Sequence, residues 1–272
     1  MEMDTNVAKV KDFYNLYNER FVKIYGNTIQ AFRTNNIEDY LLYTSNSIGF
    51  KPNEKVLDAG CGICGPAAFF ANKVPNLKIE ACTISEVQLA KGKNYLKENK
   101  VEKNVSVNLI DFNKLDQYFE AESFDRIYFL ESFGHSHDQH TLIDTCWRLL
   151  KEEGTLYIKD LFRREFEDEW KQLRVDEIIE SINRAYMYDV PNLNNLLSSM
   201  RKTGFLIEFI RMPDIDKNEF ERLSISNEFQ ELFGVDKIES WKNYIFPIDF
   251  FEVKVTKPEI TKFQQHLYHL NK

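Results

Sequence analysis

The chain predicts an α/β fold built on a mostly parallel sheet. Two observations point there. Short apolar runs alternate with amphipathic stretches between Lys55 and Asp160, and the first run ends in a glycine-rich turn, Asp58-Ala59-Gly60-Cys61-Gly62-Ile63-Cys64-Gly65. Strands separated by helices of this length form right-handed βαβ units and a parallel sheet.

The elements follow in order. Residues 8–33 carry Phe13, Tyr14, Tyr17, Phe21 and Tyr25 at helical spacing, which predicts an amphipathic helix over a core. Strands are expected at 55–59, 77–83, 104–110, 124–130 and 154–160, with helices at 64–73, 85–98 and 138–150 between them. After Asp160 the rhythm changes. A charged helix is expected over 162–187, with Phe162, Phe166, Trp170, Leu173 and Ile178 as inward positions. A second follows over 191–203, closed by Gly204 in the usual glycine position. Strand-like 205–211, a mixed segment 216–243 and apolar 244–253 complete the chain, with no internal repeat and no low-complexity linker.

Composition narrows the partners. Lys plus Arg number 35 against 43 Asp plus Glu, a formal net charge of −8, and no cationic cluster stands out, so nucleic acid is not expected. No basic-then-apolar leader is visible at Met1–Asn6, and no apolar run approaches the roughly 20 residues that cross a bilayer. Four cysteines (Cys61, Cys64, Cys82, Cys146) in 272 residues do not make a disulfide framework. The expectation is a cytoplasmic protein with a small-molecule partner, homo-oligomerisation being left open.

Gly60, Gly62 and Gly65 satisfy G-x-G-x-x-G, and Glu80 lies 20 residues past the first glycine, as in a dinucleotide site. Two details oppose that. Glu80 falls inside its strand rather than at its end, and Asp58 sits where a pyrophosphate would approach. A carboxylate there suits a cationic ligand.

Val56-Leu57-Asp58-Ala59-Gly60-Cys61-Gly62 resembles the first motif of class I S-adenosylmethionine-dependent methyltransferases, and the resemblance spans residues 10–160. Cys82-Thr83-Ile84-Ser85, with Gln88 and Ala90, is similar to the second-strand signature of the branch that methylates carbon in sterols, cyclopropane lipids and prenyl diphosphates. Ile110-Asp111-Phe112 resembles the third-strand end, Leu130-Glu131-Ser132 the fourth, and Arg148–Gly154 the helix and turn before the fifth. The family's usual Pro-Gly-Gly is absent at 152–154. The resemblance implies a Rossmann-like seven-stranded sheet of five parallel strands plus a terminal antiparallel pair, under a helical cap. As one domain it would comprise an N-terminal cap (1–50), a cofactor-binding core (51–161), a cap insertion (162–203), and C-terminal strands with a cap segment (204–272). It also implies S-adenosyl-L-methionine at Asp58, Gly60, Cys61, Gly62, Thr83, Ile84, Gln88, Asp111, Phe112 and Leu130. Asp58 would meet the ammonium group, Thr83 and Gln88 would stand where the family's ribose-binding acid lies, and Asp111 would meet the adenine amino group.

The physical case runs beside the resemblance. A sulfonium cation calls for an acidic site, and Asp58, Asp111 and Glu131 all fall at carboxyl ends of expected strands, where open α/β sheets bind ligands. Each alone could be a solvated loop carboxylate; three together argue for a site. Cys61-x-x-Cys64 reads as part of the turn rather than as a metal or redox pair, since no second such pair exists. His135-x-His137-x-x-His140 could be surface histidines, a zinc cluster, or a loop presenting His135 to substrate; His266 and His269 read as solvent-facing.

Methyl transfer from a sulfonium is an in-line displacement favoured by a dry, aligned site. A hydroxyl acceptor needs a base such as His135; an alkene carbon leaves a cation that wants aromatic faces, a carboxylate and a base. By the resemblance, Glu131 would serve that cation. Phe, Tyr and Trp make up 14% of the chain, which can equally be core. Tyr14, Tyr17, Tyr186, Trp241 and Phe246 are the candidate substrate contacts. Only Arg163, Arg164 and Arg184 could grip a diphosphate, so Mg²⁺ enters only for such a substrate and no resident metal is expected. The expected function is methylation of a small apolar or prenyl-like molecule in specialised metabolism, carbon being favoured over nitrogen or oxygen. An NAD(P)-dependent dehydrogenase and a non-catalytic cofactor-binding module are the alternatives of another class.

Overall fold

Strands Lys55–Ala59 (β1) and Phe124–Leu130 (β4) lie side by side near the middle of a seven-stranded sheet. The computed structural model describes residues 5–28, 36–214 and 245–259. The sheet continues through Lys78–Thr83 (β2) and Val105–Leu109 (β3) on one side, and Leu150–Arg163 (β5), Ile248–Thr256 (β7) and Leu206–Arg211 (β6) on the other. Its order is β3-β2-β1-β4-β5-β7-β6; the first five strands run parallel and β7 is antiparallel to both neighbours. This is the Rossmann-like seven-stranded arrangement expected. Chain order reverses direction between β1 and β4, so a crevice opens at the carboxyl ends of those strands.

Side chains alternate between two cores, as strand geometry requires. Leu57, Ala59, Ile127, Phe129, Leu156 and Ile158 face one cluster with helices Gln139–Leu149 (α5) and Leu193–Thr203 (α7). Val56, Tyr128, Leu130 and Tyr157 face the other, beneath Ile37–Ile48 (α2), Gly65–Lys73 (α3) and Glu86–Glu98 (α4). Because both faces are covered, β4 reads Ile127-Tyr128-Phe129-Leu130 without polar interruption.

Several boundaries differ from expectation. The first helix, Thr5–Tyr25 (α1), stops before Gly26 rather than at 33, and residues 29–35 are not described. Helix α2 was not anticipated, although Asn36 caps its start and Gly49 its end. Strand β5 runs on to Arg163 because β7 supplies backbone partners as far as Arg163↔Ile248. The charged helix Glu169–Tyr186 (α6) therefore begins later than 162, at its cap Asp168. Among the described residues no helix is long and apolar enough to cross a membrane.

Buried ionic groups fasten α2 to the sheet. Arg126 of β4 makes a two-pronged contact with Glu54 (2.7 and 2.9 Å) and donates to the Ile48 carbonyl (3.1 Å) and Thr155 Oγ1 (2.9 Å). Buried Glu252 accepts from Tyr43 (2.9 Å), Tyr157 (2.8 Å) and Arg211 (2.7 Å). Truncating one partner of a buried pair strands the other charge. Arg126→Ala is therefore expected to cost about 3 kcal/mol or more, read from equilibrium urea unfolding; a loss below about 1 kcal/mol would contradict this role.

Candidate active site

The turn after β1 is shaped by what its glycines lack. Gly60 sits at φ +96°, and a Cβ there would lie 2.4 Å from the Cβ of Ser132. Its N–H and that of Cys61 both donate to the Cys82 carbonyl (3.1 and 2.9 Å), while Ser132 Oγ donates to the Ala59 carbonyl (2.6 Å). The turns following β1 and β4 and the last residues of β2 are thus pinned together. Gly62, at φ +54°, has nothing within 4 Å of its would-be Cβ, so the turn presents bare backbone to open space. The Cys61 and Cys64 sulfurs lie 3.6 Å apart, both thiols free and buried.

Asp58, almost fully buried on β1, has its carboxyl pushed up to about 7 by burial, partly offset by the Tyr128 hydroxyl beside it. Thr83 donates to Gln88 Oε1 (2.8 Å), so these two sequence candidates bond to each other; Ile84 is half-buried between them and Ser85. Asp111 caps the short turn after β3, its Oδ1 accepting from Asn113 N and Nδ2 (both 2.9 Å). Its Oδ2 is buried with no hydrogen-bond partner. Phe112 packs edge-on against Phe129, and Leu130 is buried at the end of β4.

Beyond β4 lies a polar cluster. Glu131, at φ +55°, pairs with buried Lys159 of β5 (2.5 Å). His135 Nδ1 meets the Met187 carbonyl at 3.0 Å and Nε2 meets the Tyr14 hydroxyl at 2.7 Å. A carbonyl only accepts, so Nδ1 carries the hydrogen and Nε2 accepts from Tyr14. Burial lowers His135 to about 4, which keeps the ring neutral at pH 7. Burial, then the charges of Asp160 and Glu131, hold the Tyr14 phenol well above its ordinary value. The imidazole stands edge-on between the Tyr14 and Tyr188 rings, centroids 5.2 and 4.5 Å away.

Sequence reasoning missed Asp160 and the role of Tyr188. Asp160 Oδ2 accepts from Phe133 N (2.9 Å) and Gly134 N (3.4 Å); Oδ1 accepts from Leu161 N (2.7 Å) and the Tyr188 hydroxyl. Burial pushes its carboxyl up to about 6. The available signal was the one used for Asp58, Asp111 and Glu131, an acid toward the end of a strand. Tyr188 reaches it because a Cβ on Gly134 would fall 2.1 Å from the tyrosine ring.

The other candidates scatter. Tyr17 packs on Phe13 and beneath Arg20; Tyr186 is half-buried; Phe246 is exposed. Trp241 lies outside the described residues. His137 and His140 are exposed, and no group of three or more His, Cys, Asp or Glu among the described residues could hold a metal.

A parallel sheet of this order, with an acid and bare glycine turn after β1 and further acids at neighbouring strand ends, defines the class I methyltransferase fold. Residues 56–154 match the family model described as a methyltransferase domain, and the chain carries that domain there. Over 172 residues it is 26% identical to a sterol 24-C-methyltransferase of Debaryomyces hansenii, covering 61% of this chain and 44% of that one. The match thus spans less than half the relative's length. Geranyl diphosphate C-methyltransferase from Streptomyces coelicolor, solved with Mg²⁺, geranyl diphosphate and S-adenosyl-L-homocysteine, superposes with a TM-score of 0.72. It is 14% identical, and the match covers 94% of this chain and 99% of that one. The cyclase SpnF superposes with a TM-score of 0.68 at 18% identity, over 92% and 95% of the two chains. These superpositions establish the fold.

The two turn glycines should respond differently to a methyl group. Gly60→Ala is expected to cost about 3 kcal/mol, from positive φ plus overlap with Ser132. Gly62→Ala should cost about 1 kcal/mol, from φ alone. Thermal melts of both variants measure the contrast, and equal losses would refute it.

Proposed function

We propose that this chain is an S-adenosylmethionine-dependent methyltransferase acting on a small apolar acceptor, with carbon favoured as the atom methylated. The observation that carries the cofactor assignment is Asp111 Oδ2, buried and without a hydrogen-bond partner at the turn after β3, together with the buried acid Asp58 that precedes the bare glycine turn in the chain. Asp58 would meet the ammonium group, Asp111 the adenine amino group, and Thr83 with Gln88 the ribose. Gly60, Cys61 and Gly62 would approach through backbone, and Ile84, Phe112 and Leu130 would supply apolar walls. The core over 51–161 would hold the cofactor, and 1–50, 162–203 and 204–272 would cover it.

When bound, the sulfonium supplies an electrophilic methyl carbon. The chain's own residues exclude water, align the acceptor and manage a proton. Tyr14 can take a proton from the acceptor while passing its own to His135 Nε2, the Met187 carbonyl steadying the imidazolium that results. For an alkene acceptor, the Tyr14 and Tyr188 faces and the Glu131 carboxylate would stabilise the transient cation, and the same pair would remove its proton. Tyr17, Tyr186, Trp241 and Phe246 would line the apolar approach.

The sterol and geranyl diphosphate relatives favour a prenyl-like skeleton. A diphosphate fits less well. Arg163 pairs with Asp176, Arg164 with Asp249 and Arg184 with Glu180, so each arginine expected to grip a diphosphate already has an acidic partner; Mg²⁺ would enter only with such a substrate. The Tyr14–His135 pair also suits a hydroxyl or amine, which gives N- or O-methylation as the second reading.

Labelled-methyl transfer into sterols, prenyl alcohols and a lipid extract, followed by mass spectrometry, locates the new carbon. Incorporation by the wild type should fall about 100-fold or more in Tyr14→Phe and His135→Ala. Incorporation by none of these acceptors, with the cofactor demonstrably bound, would leave a binding module or another chemistry on this fold.

Asp58 also sets a pH dependence. Ionised Asp58 is the form that pairs with an ammonium group, and below about 7 the carboxyl takes up a proton. Cofactor affinity should therefore hold above pH 7 and weaken by up to about tenfold per unit below it, one proton being released on binding at pH 6. Calorimetry in buffers of differing ionisation enthalpy reads that proton; constant affinity from pH 6 to 8 would exclude the role.

A further inference from the structure

On α1, buried residues fall at Val7, Val10, Phe13, Asn18 and Phe21. All but one are apolar. Asn18 is fully buried, and neither its Oδ1 nor its Nδ2 has a hydrogen-bond partner. A buried carboxamide left with both ends unpaired is rare in a settled core, and such local violations concentrate at functional sites.

The anchors of α1 fix where that side chain lies. Lys11, Asn15 and Glu19 form a stripe against α4: Lys11 pairs with Glu86, Asn15 Oδ1 accepts from Ser85 Oγ (2.7 Å), and Glu19 pairs with Lys91. Tyr14 points instead to His135, beyond β4. Asn18 is one turn on from both, four residues after Tyr14 and three after Asn15, and so lies between the two stripes. Ser85 follows β2 and His135 follows β4, and the strand between these two in the sheet is β1. A helix that bridges the ends of β2 and β4 crosses the end of β1, where the Gly60–Gly62 turn lies. Just past α1, the Asn27 carbonyl approaches Gly65 so closely that a Cβ there would lie 1.8 Å from it, which holds this segment over the same turn.

We infer that Asn18 grips the amino-acid end of the methyl donor over the glycine turn, its Nδ2 donating to the α-carboxylate and its Oδ1 accepting from the α-ammonium. This rests on the cofactor assignment above. A carboxamide presents a donor and an acceptor side by side, which matches a zwitterion; the adenine edge offers the same pairing, but the place of Asn18 over the Gly60–Gly62 turn selects the amino-acid end. Asp58 alone would hold the ammonium and leave the carboxylate without a partner; Asn18 supplies it. The two ends of the Asn18 amide, unsatisfied within the protein, would both be satisfied by such a ligand.

Two ligands separate the possibilities: S-adenosylhomocysteine, which carries the amino-acid end, and 5′-methylthioadenosine, which lacks it. Titration calorimetry with the full chain should show Asn18→Ala weakening the first about 10- to 100-fold and leaving the second unchanged. Asn18→Leu should do the same and also melt at a higher temperature than wild type without ligand, since it removes the unpaired amide. Equal affinity of wild type and Asn18→Ala for S-adenosylhomocysteine would overturn the inference, as would equal losses for both ligands or a lower melting temperature of Asn18→Leu. If the wild type binds neither ligand, the cofactor assignment itself fails.

Discussion

The turns leaving β1 and β4 approach so closely that no side chain fits between them. Gly60 provides the missing Cβ, and Ser132 fills the space and donates its hydroxyl to the Ala59 carbonyl. Because β1 and β4 belong to opposite halves of the chain's winding, their ends would otherwise diverge. Joined here, they set the floor of the crevice. The constraint passes to Glu131, the residue before Ser132, whose left-handed backbone donates to the Lys159 carbonyl at 2.7 Å while its side chain meets the Lys159 ammonium. Position and charge of the site follow from one steric exclusion.

The same crevice concentrates electrostatic discomfort. Asp58 and Asp160 are buried acids with carboxyls pushed up to about 7 and about 6, and Asp111 keeps an oxygen without a partner. Desolvation disfavours such groups in the charged form. The two apolar cores on either face of the sheet tolerate this penalty, which is confined to the strand ends. A cationic ligand would relieve it, so on the proposed reading this penalty and the affinity for the cofactor have one origin.

The sheet could be read almost strand by strand, because parallel strands buried on both faces are apolar runs punctuated by turns. Lys55–Ala59 and Phe124–Leu130 match expectation at both ends. Helix α2 was passed over although Tyr40, Leu41 and Ile48 sit in the core, because it lies outside the strand–helix alternation that begins at Lys55; distant contacts such as Arg126 with the Ile48 carbonyl fix its end. At the site, Asp58, Asp111 and Glu131 stood out as acids ending strands. Asp160 obeyed the same rule, since the expected strand 154–160 ends on it, and it was overlooked; the strand itself runs on to Arg163. Asn18 could not be singled out from sequence, since a polar residue on an amphipathic helix is ordinary until its neighbours are known. The pairing of Tyr14 with His135, 121 positions apart, is likewise a product of topology alone.

His135 is held from two directions, by Tyr14 of α1 and by the Met187 carbonyl at the end of α6. These two helices lie on opposite sides of the core in chain order, and both hold this ring. Parting the imidazole from either holder would alter its tautomer preference and its proton affinity at once. On the proposed reading of His135 as the base, enclosing an acceptor between these two holders and setting the proton affinity of the ring would be a single event.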